Sequence, residues 1–172
     1  MVNVAQQRMT VEAFDKFVLL PENADRNFEY VGGEIFEVVS NPRSSVVGMR
    51  AGTWVGIYLM RHDIGYLSGA DGGYMVSGER YIPDVGFISY AKQPKLLSVE
   101  GYNPMPHDLA VEVLSPSNDD EKMRVKIANY QAAGTLVWVI DPIAQLIEVY
   151  RLGRPVLILN TEGELDGEDV LP

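Results

Sequence analysis

An α/β or α+β domain, with a central mixed sheet carrying helices, is the fold class predicted by the order of apolar patterns along this chain. Three observations predict it. Residues 81–85 and 107–117 read as strands, each with a carboxylate, Asp84 or Glu112, set among apolar residues. Residues 44–61 repeat Val47, Ala51, Trp54, Val55 and Tyr58 at helical spacing, with Leu59 beside them. Residues 120–133 place Met123, Ile127 and Tyr130 on one helical face between two strand-like runs. The remaining elements follow in order. Thr10 reads as the N-cap of a helix over 11–20, which Pro21 stops. Residues 28–31 and 35–39 flank Gly32-Gly33, a hairpin signal. Short strands are expected at 64–67 and 73–76, and a longer one at 82–89. Residues 91–106 read as loop, and 108–114 as the most strongly buried strand. Residues 116–119 end that strand and cap the next helix, whose acidic first turn suits the positive helix end. Gly134 closes it. Strands at 136–140, 145–150 and 155–159 complete the pattern, and the acidic tail from Thr161 reads as a surface segment. Gly52 and Gly56 in the long helix would allow close packing on a sheet.

Composition narrows the function classes. The 172 residues suit one domain, 1–172, with a core at about 28–160. No cysteine is present, which removes disulfides and thiolate metal sites. No apolar run is long enough to span a bilayer, and no signal core opens the chain, so a soluble cytoplasmic protein without membrane contact is expected. The net charge of −10 repels phosphate backbones, so nucleic-acid binding would have to proceed against the overall field.

Chemistry concentrates in the two acid-bearing strands. Side chains alternate across a strand, so Leu109, Val111 and Val113 share one face while Glu112 joins Ala110 and Leu114 on the other. An unpaired carboxylate among apolar residues is costly to bury. Asp84 and Glu112 on neighbouring strands could bind a divalent cation through oxygen. Lys122, Lys126 and Tyr130 recur every four residues on the helix that follows Glu112, so an ammonium can approach the carboxylates. Two carboxylates, a metal ion and a lysine suffice to hydrolyse a phosphodiester. Taken singly, Asp84 after Pro83 reads as a turn residue, and Lys126 as a solvated helix residue. Glu29 and Glu37 read as surface charges. His62 and His107 read as surface or capping residues, and Trp54 and Trp138 as core. No glycine-rich phosphate loop or serine-nucleophile elbow is present.

The ordered motifs resemble a known family. Residues 28–35 (FEYVGGEI), 83–85 (PDV), 108–117 (DLAVEVLSPS), Lys126 with Tyr130, Ala133 and Gly134, 137–142 (VWVIDP), 149–151 (VYR) and 169–172 (DVLP) together are similar to the Uma family of restriction endonucleases, within the PD-(D/E)XK nuclease superfamily. The resemblance covers nearly the whole chain and implies a restriction-endonuclease-like core with an N-terminal helix and hairpin. It implies a metal-dependent DNA endonuclease with Asp84, Glu112, Lys126 and Glu34 as catalytic residues. Lys126 would stand in for the lysine that the superfamily carries two residues after the Glu, where this chain has Leu114. Mg2+, with Mn2+ as substitute, would be held by Asp84, Glu112 and the Val113 carbonyl. DNA as substrate and a homodimer are also implied, with Ile147, Val149, Val156 and Ile158 offering a pairing face. One departure stands out: Ser44-Ser45 occupies the start of the long helix, where relatives often carry a histidine. The competing reading is a nuclease-fold binding or accessory protein with little or no catalysis.

Overall fold

The computed structural model describes residues 2–3, 8–95, 97–116 and 119–172. Its elements are β1 (Val2–Asn3), α1 (Val11–Phe17), β2 (Phe28–Val31), β3 (Glu34–Glu37), α2 (Pro42–Leu59), β4 (Gly65–Ser68), β5 (Tyr74–Val76), β6 (Glu79–Tyr81), β7 (Val85–Ser89), β8 (Leu109–Val113), α3 (Asp120–Ala132), β9 (Leu136–Asp141), β10 (Leu146–Tyr150) and β11 (Leu157–Leu159). Two sheets form where one was expected. The larger has the order β11-β10-β9-β8-β7-β4, and the smaller the order β1-β3-β2-β6-β5. Among the named strands β8 and β9 run parallel, as the intervening α3 requires, and the other pairs are antiparallel.

The expected strand over 82–89 breaks at its start. Proline has no N–H for a ladder, and the chain leaves β6 of the small sheet, crosses Ile82-Pro83-Asp84, and enters β7 of the large sheet. Strand β6 itself escapes the sequence reading because it carries Glu79 and Arg80. Arg80 is nevertheless buried, and its guanidinium reaches Asp15 at 2.6 and 2.8 Å. Such a fork-on-carboxylate geometry is what lets an arginine enter a core.

The large sheet carries a helix on each face. Ala110 on β8 packs with Val137, Val139 and the α3 residues Met123, Ile127 and Tyr130. Leu109 and Val111, alternating with Ala110, pack with Val55 of α2, Val85 and Trp138 on the other face. A third group, Phe14, Phe28, Tyr30, Ile35, Ile82 and Tyr102, fills the space between α1 and the small sheet. Leu165, Val170 and Leu171 of the acidic tail pack against the second of these groups, so the tail is anchored by its apolar residues. Ser117 and Asn118 lie outside the described residues. The N-cap of α3 is Asp119, which accepts from the Glu121 and Lys122 amides.

Two placements correct the sequence reading. Trp138 is buried as expected, but Trp54 points outward and is exposed. His107 is fully buried, with its ring against Tyr74 at a centroid distance of 3.6 Å. The absence of a side chain at Gly86 makes room for it: a Cβ there would lie 2.6 Å from the His107 ring. Burial, with Lys92 and Lys126 adding to it, drives the His107 pKa well below 6.5.

Small residues set the approach of α2 to the sheet. A Cβ on Gly48 would stand 3.3 Å from Asp84 Cβ, whereas one on Gly56 would meet Leu67 at an ordinary 3.5 Å. Gly56→Ala should therefore stabilise the protein by roughly 0.5–1 kcal/mol through helix propensity. Gly48→Val should destabilise it by about 1–3 kcal/mol through overpacking. Chemical denaturation of both variants checks the opposite signs. His107 gives a second expectation. The folded state keeps it neutral while the unfolded chain protonates it below 6.5, so stability falls with pH from there at up to about 1.4 kcal/mol per pH unit. His107→Leu should flatten that acid limb in urea titrations run from about pH 7 to pH 5. Parallel limbs for wild type and variant would contradict this placement.

Candidate active site

The crossing from small to large sheet leaves a cavity of about 200 Å³ lined by Asn27, Glu29, Asn41, Ser44, Asp84, Glu112, Val113 and Lys126, among others. Each charged group arrives by a separate route. Asp84 sits on the crossing itself. The β7–β8 ladder ends at Val85–Val111; beyond it the Asp84 carboxylate takes over, with Oδ2 accepting from the Val113 amide at 2.7 Å. Glu112 comes from β8 on the face turned toward α3. Lys126 comes from α3, one turn before Tyr130. Glu29 comes from β2 of the small sheet.

Lys126 joins them. Its Nζ lies 2.8 Å from Glu112 Oε1 and 2.8 Å from Glu29 Oε1. Glu29 Oε1 also accepts from the Ile82 amide at 2.7 Å, and Glu112 Oε1 from the Tyr130 hydroxyl at 2.8 Å. Glu29, Glu112 and Lys126 are 1%, 5% and 2% exposed, so these bonds form away from water. Both donors to Glu112 fall on Oε1, leaving Oε2 to other partners. With three carboxylates against one ammonium, the fully ionised group carries two negative charges in excess, a costly arrangement in a dry site.

The titration behaviour follows from this crowding. Burial, with Glu29 and Asp84 adding to it, pushes the Glu112 carboxyl up to about 7 against the pull of Lys126. Burial also raises Asp84, opposed by the Val113 amide and Lys126. For Lys126 burial works downward, but Glu112 and Glu29 together outweigh it and hold the ammonium protonated. Burial and Glu112 raise Tyr130, which stays a donor.

Of the sequence-predicted residues, the structure brings Asp84, Glu112, Val113 and Lys126 together. Glu34 stands on β3 opposite Val31, at the turn end of the hairpin, and does not line the cavity. The acid that does so from that hairpin is Glu29, expected at the surface and found buried. The available signal was its position inside FEYV, a run whose four residues are all buried. Glu37 is half-buried and paired with Arg26. Ser44, also buried, is held by the N-cap Asn41, whose Oδ1 accepts from the Ser44 amide and whose Nδ2 donates to Ser44 Oγ. Lys122, a turn before Lys126, lies over the Phe36 ring at 3.6 Å and near Asp119. Among the described residues, no group of three or more acidic or histidine side chains is arranged to hold a metal ion. The donors that remain are hard oxygens from Asp84, Glu112 and backbone, a set suited to Mg2+ or Mn2+ with several retained waters.

Comparison with known proteins agrees with the fold. A crystal structure of a protein from Anabaena variabilis ATCC 29413, described as a putative nuclease belonging to DUF820, superposes with a TM-score of 0.77. The two are 20% identical, and the match covers 95% of this chain and 90% of that one. At that identity the likeness speaks for the architecture. No curated protein matches the sequence. The family model described as "Uma2: Putative restriction endonuclease" matches residues 14–172. With a match spanning β2 to β11, all of α2 and α3, and every residue of the cavity, the chain belongs to the Uma2 family.

Proposed function

We propose that the protein is a divalent-metal-dependent DNA endonuclease acting at the cavity between its two sheets. The observation that carries this reading is the convergence of Asp84, Glu112 and Lys126 from three different elements into one cavity with surplus negative charge. Family membership supports phosphodiester hydrolysis as the reaction. Asp84, Glu112 and the Val113 carbonyl would hold the ion. The chemistry that a bound Mg2+ supplies is polarisation of the scissile phosphate and a lowered pKa of its water. The remaining work falls to the chain. Asp84 is oriented by the Val113 amide, so its carboxylate does not have to be ordered when substrate arrives. Tyr130 fixes Glu112 through Oε1. Lys126, kept charged by two carboxylates, offsets the negative charge that develops on the phosphate oxygens in the transition state. Glu29 is the positioning residue for Lys126, holding the ammonium at the cavity wall and tying it to the Ile82 amide next to Asp84.

One observation favours a second reading, a nuclease-fold binding protein. Lys126 already spends its charge on two ion pairs, and the chain carries −10. Catalysis would need substrate and metal to draw Glu112 partly away from that ammonium.

Two measurements decide between them. Calorimetric titration with Mg2+ or Mn2+ should show binding in the wild type that is lost in Asp84→Asn; equal binding in both would remove Asp84 from the site. In nicking of supercoiled plasmid with Mn2+, Lys126→Ala should lower the rate by about 10²–10³-fold, equivalent to roughly 3–4 kcal/mol of transition-state stabilisation. That variant also leaves Glu29 and Glu112 without their cation, so thermal unfolding should show a loss of about 3–5 kcal/mol. Lys126→Arg, which restores the charge, separates the two effects by recovering stability more fully than rate. Nicking by Glu112→Gln at the wild-type rate would leave the binding-protein reading ahead.

A further inference from the structure

The outward side of α2 is apolar where solvent is expected. Trp54, Met49 and Met60 are 73%, 71% and 88% exposed, and Val46 and Ile57 are exposed beside them. At 3.6 residues per turn, positions 46, 49, 53, 57 and 60 fall in one stripe. It lies opposite Ser44, Gly48 and Val55, the buried residues of the helix. Thr53 occupies the centre of the stripe, its hydroxyl donating to the Met49 carbonyl at 2.7 Å. The steps outward from Thr53 are four and then three residues in both directions. Any helical face centred on one residue has this spacing, so the stripe can meet an identical copy of itself about a two-fold axis.

We propose that this face is an interface with a second copy of the chain, in which the two α2 helices pack antiparallel about an axis at Thr53. In that register Val46 meets Met60 of the second copy, Met49 meets Ile57, and Thr53 meets its own equivalent. Charge supports this occupant. Two copies at −10 each repel one another. Yet no Asp or Glu occurs between Glu37 and Asp63, the longest acid-free stretch in the sequence, and α2 lies wholly within it. In an antiparallel two-fold pair the same flank of both helices lies on the same side. Arg50 then falls beside Trp54 of the second copy, a cation–π pairing. On the other flank Ser45 is small enough for close approach, while Gly52 and Gly56 turn to Val85 and Leu67 of their own sheet. A nucleic-acid backbone is a poorer occupant, because the stripe itself has no cation and four apolar side chains around Thr53. The apolar face expected from the sequence fares differently: Val149 is buried within its own chain, while Val156 and Ile158 stay exposed on the β11 edge. The interface is independent of the nuclease reading.

The absence of cysteine makes the test direct, since Thr53→Cys introduces the chain's single thiol. Helices packed about 8–10 Å apart, with Cα atoms about 2.3 Å from each axis, bring the two position-53 Cα atoms to roughly 4–5 Å. That is within disulfide reach. Wild type should sediment as a dimer at micromolar concentration, and Thr53→Cys should give a covalent dimer on mild oxidation. Val156→Cys, a single thiol on the competing face, should not. Met49→Glu alters only an exposed side chain, so it should leave the circular dichroism spectrum unchanged while raising the dimer dissociation constant at least about tenfold. A monomeric wild type overturns the proposal. So does a dimer that crosslinks through Val156→Cys and survives Met49→Glu. If Met49→Glu leaves the mass unchanged but abolishes DNA binding, the face belongs to nucleic acid and the proposal fails.

Discussion

The buried ammonium of Lys126 is the constraint around which the structure is arranged. It belongs to α3, bonds to Glu112 on the large sheet and to Glu29 on the small one, and reaches the inter-sheet crossing through Glu29 and the Ile82 amide. A core cation must be matched by carboxylates in good geometry, or its desolvation goes uncompensated. Meeting that requirement fixes the docking of α3 on β8 and the distance between the two sheets. A hydrophobic residue of similar volume could pack there at comparable or better stability. The charge is therefore best understood as serving the site.

Much of the fold was legible in the sequence because most elements follow one rule at a time. The period of α3, the hairpin at Gly32-Gly33 and the apolar run of β8 each appear within about ten residues. What escaped was set by distant partners. Strand β6 looks polar because Arg80 owes its burial to Asp15, far away in the chain. His107 is inside because Gly86, on the neighbouring strand, has no side chain. Trp54 was assigned to the core from its size and periodicity, yet α2 turns Ser44, Gly48 and Val55 inward and leaves Met49, Trp54 and Met60 outside. The helix packs through Gly48 and Gly56, the reverse of the usual pattern.

The site divides along the same line. Asp84, Glu112 and Lys126 were found through motif order and alternation, which are local signals. Glu29 was read as a surface charge because a strand of a hairpin normally exposes one face, and nothing nearby says that α3 will bring Lys126 over it. Its ionic partner is 97 residues away. Glu34, immediately after the turn and half-exposed, carries the stronger local motif but does not line the cavity.

That separation has a consequence for the time at which the site comes into being. Its four charged groups are contributed at positions 29, 84, 112 and 126, and β8 is completed only when β9 pairs beside it. Contacts so distant in sequence form late, after the long intervening loops have closed. A chain leaving the ribosome holds Glu29 and Asp84 well before the ammonium that neutralises them is made. Through that interval the carboxylates have no reason to gather. Assembly of the cavity therefore waits until synthesis has passed β9.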